Sequence, residues 1–162
     1  MKKIIAAIIF SLMSTVSFAD GLTSGKFNAS GMGAWEVNAM DAGQGDMAIT
    51  YDGIAGLSDE TPDSIFHKST MHCIGGLTLQ AGKFTDETGM CRFDLFDGES
   101  VFMKYMGKGS GGAGGTGTFE IVKGTGKYAK ITGSGVSSRQ NLKSKAPGFS
   151  TSMNQTSGEY KY

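Results

Sequence analysis

Apolar and polar residues alternate with period two along most of this chain. Trp35, Val37 and Ala39 alternate with Glu36 and Asn38, and Met47, Ile49 and Tyr51 with Asp46, Ala48, Thr50 and Asp52. Cys91, Phe93 and Leu95 alternate with Arg92 and Asp94. Val101, Met103 and Tyr105 alternate with Phe102 and Lys104, and Phe119 and Ile121 with Thr118 and Glu120. Successive side chains of a strand point to opposite faces, so each run predicts a half-buried strand with one wet face. Beyond the N-terminal apolar run there is no helical stripe. Asp52-Gly53 and Asp97-Gly98 read as hairpin or loop dipeptides, and Gly75-Gly76, Gly82 and Gly89 as bends. Phe93 to Phe102 forms the clearest local hairpin apart from one near Gly124. Pro62 falls in a polar loop and Pro147 just before the last strand. Many short strands without helices predict a sandwich or barrel, and closure removes the exposed edges of a flat sheet. The expected fold is all-β: a closed antiparallel barrel of about eight strands.

The N-terminus reads as a processing signal. Lys2-Lys3 is a positive start, Ile4 to Met13 an apolar core of about ten residues, and Ser17-Phe18-Ala19 a small-x-small cleavage site. That core is shorter than the roughly 20 residues a membrane helix needs. Residues 1–19 are therefore expected to be a signal peptide, cut between Ala19 and Asp20. Residues 20–162 form a single barrel domain without a membrane span, and the protein is periplasmic or secreted. The chain carries 15 basic and 15 acidic residues. With no basic stripe, nucleic acid is not an expected partner. Arg139 to Lys145 reads as a solvated loop or strand.

An exported chain with two cysteines favours a disulfide between Cys73 and Cys91. Cys91 shares its face with Phe93 and Leu95. A bond to Cys73 then turns Met71, Ser69 and His67 inward as well. The inward set includes Trp35, Tyr51, His67, Met71 and Tyr105, which are the candidate ligand-binding residues of the lumen. His67 is the one ionisable group expected among them.

Other motifs reduce to structure. The run Gly107 to Gly117 contains G-x-G-x-x-G matches but no following helix, and reads as a flexible loop. Gly124-Thr-Gly-Lys127 is not a phosphate loop: Ile121 stands where its first glycine is required, and Tyr128 where a Ser or Thr would hold magnesium. His67, Met71, His72 and Cys73 include soft donors, but oxidation of Cys73 removes the thiolate. No metal, no cofactor and no catalytic residue is assigned. Glu36, Asp46, Asp94 and Glu120 fall on wet faces, so no inward pair of carboxylates is expected.

The stretch Gly117-Thr-Phe-Glu-Ile-Val-Lys-Gly-Thr-Gly-Lys-Tyr-Ala-Lys-Ile-Thr-Gly-Ser-Gly135 resembles a hairpin of the allene oxide cyclase-like and dirigent-like β-barrels. There a Phe-containing strand enters a Gly-Thr-Gly-Lys-aromatic-Ala turn. The resemblance implies a calycin-like barrel, a homo-oligomer (trimer or dimer), and an apolar small molecule inside, in an exported bacterial member of unassigned function. No catalytic residue of those families maps onto this chain. Three readings stand open: a non-catalytic barrel binding an apolar or aromatic molecule in its lumen, a structural or interaction protein with a filled core, and an isomerase or cyclase of the allene oxide cyclase-like type.

Overall fold

The computed structural model describes residues 23–162. The expected cleavage site at Ala19 and Asp20 lies outside the described residues. Eight strands follow one another: β1 (Ser24–Gly43), β2 (Asp46–Asp59), β3 (Ser69–Leu79), β4 (Lys83–Asp94), β5 (Ser100–Ser110), β6 (Gly114–Gly124), β7 (Thr132–Leu142) and β8 (Phe149–Lys161). Each pairs antiparallel with the next, and β8 returns to β1, closing the barrel. The alternating runs form its wall, and their apolar members point in. Trp35, Tyr51, Met71, Phe93, Val101, Met103, Phe119 and Ile121 are all buried.

Cys73 and Cys91 face each other in register on β3 and β4 and are bonded, with Cα atoms 4.1 Å apart. Both are buried beside Met71 and Phe93, the next inward cross-strand pair. The bond therefore staples the inner face of the sheet.

Three loops seal one end. Phe66, from the β2–β3 connection, is fully buried and lies 4.5 Å from the Phe27 ring and 5.4 Å from Phe93. Leu95 enters from the β4–β5 loop, and Tyr128 and Ile131 from the β6–β7 loop. Burying each such side chain stabilises the fold by roughly 1.5–3 kcal/mol. The hairpin of β6 and β7 is thus part of the plug. Gly126 takes a positive φ of 49°, and a short 3₁₀ turn at Gly126–Tyr128 drops the Tyr128 ring over Tyr162, 4.6 Å away. Asp97 fixes the turn, accepting the Tyr128 hydroxyl and the Lys127 ammonium, each at 2.9 Å.

Several turns differ from expectation. Asp52-Gly53 lies in the middle of β2, because Gly53 is the register partner of Trp35, whose ring packs against it. The β1–β2 reversal is instead at Gly43-Gln44-Gly45, all three with positive φ. Gly75 and Gly89 are not bends; they oppose each other in the ladder of β3 and β4. The run Gly107 to Gly117 is not a flexible loop. β5 reaches Ser110 and β6 begins at Gly114, leaving only a tight turn between them. The Asp97-Gly98 turn occurs as expected, with Gly98 at φ 88°.

No helix among the described residues is long and apolar enough to cross a membrane. Exposed apolar side chains ring the outside, including Met32, Ile54, Ile74, Met90, Met106 and Met153. The row is interrupted: Ile74 stands beside Asp52 and Met90 beside Lys104.

Two outcomes are expected. Replacing both cysteines by serine should lower stability by about 3 kcal/mol, as for release of a loop of this length. A denaturant midpoint unchanged under reducing conditions would contradict this. Asp97 is partly buried, which opposes its charge, but Lys127, the Glu99 amide and the Tyr128 hydroxyl together hold its carboxyl below the usual range. Its contribution is present above the ordinary carboxylate pKa and is lost as pH falls through the lower folded value. Asp97→Asn should therefore cost about 1 kcal/mol at neutral pH. The difference from wild type should vanish in acid, as read by thermal melts across pH.

Candidate binding lumen

The half of the barrel away from the plug is not filled, and glycines are the reason. β5 and β6 carry Gly107 opposite Gly117 and Gly109 opposite Gly115, continuing the inward rows of Tyr105 and Phe119. The Phe84 ring covers the Gly109–Gly115 pair. The rest leaves an inner chamber of about 90 Å³, lined by Trp35, Met71, Phe93, Met103 and the disulfide, among others. A second cavity of about 230 Å³ lies at the open mouth, between the apolar wall Val37, Ile49, Leu77, Leu79 and Phe84 and the polar residues Asn141 and Ser150. Trp35, Tyr51 and Arg139 line both spaces and form the partition between them.

A buried polar cluster stands at that partition. Tyr51 donates its hydroxyl hydrogen to Glu87 Oε1 at 2.6 Å, and Arg139 Nη1 donates to the same oxygen at 2.7 Å. The Tyr51 hydrogen is then committed, so the Tyr105 hydroxyl, 2.7 Å away, donates to the Tyr51 oxygen. The chain runs in one direction, from Tyr105 to Tyr51 to Glu87. Arg139 also lies over the Tyr51 ring, 5.7 Å from its centre. Burial, then the neighbouring Tyr105 and Glu87, push the Tyr51 phenol far above its ordinary pKa. Burial and Glu87 outweigh the opposing effects of Tyr51 and Arg139 and push Tyr105 up to about 12. Both are neutral donors at physiological pH. Burial works against the Arg139 charge, but Glu87 more than offsets it and raises its pKa, so the guanidinium stays charged.

Local backbone features make room for the cluster. The β4–β5 ladder shifts register between Phe84 and Glu87, so both side chains point inward although an odd number of positions separates them. Glu87 is only 5% exposed. A Cβ at Gly75 or Gly89 would overlap the Tyr105 hydroxyl, and one at Gly107 would crowd the Glu87 carboxylate. On the facing wall the Trp35 indole donates to Ser152 Oγ at 2.8 Å, and Ser152 donates to Asn154 Oδ1 at 3.2 Å.

Four of the five residues singled out from the sequence meet at this chamber: Trp35, Tyr51, Met71 and Tyr105. His67 does not. Lys68 takes a left-handed φ of 57° and β3 starts only at Ser69, so the alternation projected back from Cys73 ends before His67. His67 lies in the β2–β3 connection, its Nδ1 3.0 Å from the Asp59 carbonyl oxygen. The ionised groups of the lumen are instead Glu87 and Arg139. Arg139 belongs to β7 and points in, rather than lying in a solvated segment. His72 points to the opposite, outer face of β3 from Met71 and Cys73, where it pairs with Asp52 at 2.6 Å. Among the described residues no group of three His, Cys, Asp or Glu is placed to hold a metal ion.

Comparison with models of known protein families and with curated proteins finds no match to this chain.

The ion pair sets a stability expectation. Removing one partner of a buried pair strands the other charge, which typically costs about 3–5 kcal/mol. Arg139→Gln alone should therefore destabilise more than Arg139→Gln combined with Glu87→Gln. A double-mutant cycle by denaturation checks this, and additive losses would contradict a coupled pair.

Proposed function

We propose that this is an exported barrel whose lumen binds a small apolar or aromatic molecule without transforming it. The observation that carries this reading is the asymmetry of the interior. One end is plugged by Phe66, Leu95, Tyr128 and Ile131. The other holds two adjacent cavities, lined by apolar and aromatic side chains with a few placed polar groups. Ligand sites in small proteins have this composition: mostly apolar walls with a few polar groups that orient the guest. A structural protein with a filled core fits the plugged half but not the open one.

Export is supported by the N-terminal pattern ending at Ala19 and by the Cys73–Cys91 disulfide, a bond that persists in oxidising compartments. A second reading, an isomerase or cyclase of the allene oxide cyclase-like type, is favoured by one observation. The directed chain Tyr105–Tyr51–Glu87 places groups able to give and take a proton beside a cavity.

Native mass spectrometry of the mature protein, followed by solvent extraction, tests binding. The expected outcome is a retained small molecule, or uptake of a lipophilic dye accompanied by a change in the emission of Trp35, the only tryptophan. An empty protein that ignores such dyes overturns the proposal. Recovery of the bound molecule unchanged after incubation supports carriage, and its conversion supports the enzymatic reading.

A further inference from the structure

Building on a ligand-binding lumen, we infer that the guest is an uncharged molecule with an apolar body of one or two rings and an acceptor oxygen, such as a ketone, held by Arg139. Charge comes first. Among the described residues lining the chamber and the mouth, Glu87 and Arg139 are the ionised side chains, and they already neutralise each other at 2.7 Å. The two tyrosines beside them are neutral. A carboxylate guest would stand beside Glu87 with no cation left to balance it, and an ammonium guest beside Arg139 with no anion. Both would leave a charge in a largely apolar space, where an uncompensated charge is strongly disfavoured.

Hydrogen-bonding capacity comes second. Arg139 uses Nη1 for Glu87 and lies against Tyr51, which together engage only part of the five N–H donors of the guanidinium. Arg139 borders both cavities, so the remaining donors are available to a guest. The nearby Tyr51 and Tyr105 hydroxyl hydrogens are committed within the relay. The group that best complements the partition is therefore an acceptor without a charge of its own.

Shape comes third. The mouth presents Val37, Ile49, Leu77, Leu79 and Phe84 on one side and Arg139, Asn141 and Ser150 on the other. It suits a flat molecule with one apolar face and a polar edge. Its volume of about 230 Å³ exceeds the roughly 150 Å³ of an apolar cavity that takes up a single benzene ring.

Calorimetric titration of the mature protein with 2-acetylnaphthalene, naphthalene and 2-naphthoate at neutral pH tests the inference. The expected order places the ketone about tenfold tighter than either the hydrocarbon or the carboxylate, the worth of one hydrogen bond to a charged donor. Glu87→Gln frees the Arg139 charge, so 2-naphthoate should gain at least about tenfold on the ketone. Arg139→Gln should erase the advantage of the ketone over naphthalene. If wild type prefers the carboxylate, or makes no distinction between ketone and hydrocarbon, the inference fails while a binding lumen stands. If none of the three binds, the binding reading fails with it. Should Glu87→Gln not fold, the ranking on wild type decides alone.

Discussion

Closure of the sheet governs everything inside it. Once β8 pairs with β1, the wall cannot spread or contract to suit its contents, so the volume within is set by strand number and stagger. Each inward glycine must then be covered by a large side chain from elsewhere in the barrel or leave a space. At the plugged end the cover exists: the Phe119 ring lies against Gly135 and Gly158, and the Ile121 side chain against Gly133. At the other end Phe84 covers the pair Gly109–Gly115 and the Glu87 carboxylate lies against Gly107, but these do not fill the space, and Gly107 and Gly117 line the inner chamber. One rule thus yields a solid half and a hollow half.

The hollow half also contains the least economical choice in the protein. Removing Glu87 and Arg139 from water carries a desolvation cost that their attraction only partly repays, and apolar residues of similar volume would often be as stable. The surrounding structure nevertheless provides for the pair. The register shift before Glu87 turns it inward, Gly75, Gly89 and Gly107 leave room, and two tyrosines align their hydroxyls toward it. Several separate features of the backbone and side chains are thus fitted to one costly contact.

Most of the barrel was legible in the sequence because its inward rows alternate cleanly. Cys91, Phe93 and Leu95 set a face, the disulfide carries that face to Cys73 and Met71, and the expectation of about eight strands comes from the usual size of small barrels. The polar wall was not legible, for three physical reasons. Glu87 has the same parity as Cys91, but Gly89 stands between them and the register shift places Phe84 inward too, so the stretch shows no single period. β7 has the reverse of the usual pattern: Val136 points out, 57% exposed, while Arg139 points in. β8 does the same, burying Ser152, Asn154 and Thr156 and exposing Met153. A strand that supplies the few polar side chains of a cavity hides from a hydrophobic pattern. His67 shows the converse error, since a single left-handed residue at Lys68 ended an alternation that the sequence alone could extend.

The seam between β1 and β8 joins the two ends of the chain, and the bond from Trp35 to Ser152 spans 117 residues of sequence. Contacts this distant form late in folding, because the chain must be ordered over its whole length before they repay the entropy of closing the loop. The partition between the two cavities brings Trp35 of β1 and Tyr51 of β2 together with Arg139 of β7, across that seam. Without β8 the sheet cannot close, and the lumen is not enclosed. The pocket therefore exists only in the closed barrel, and any molecule that occupied it would stabilise that closed state over an open sheet.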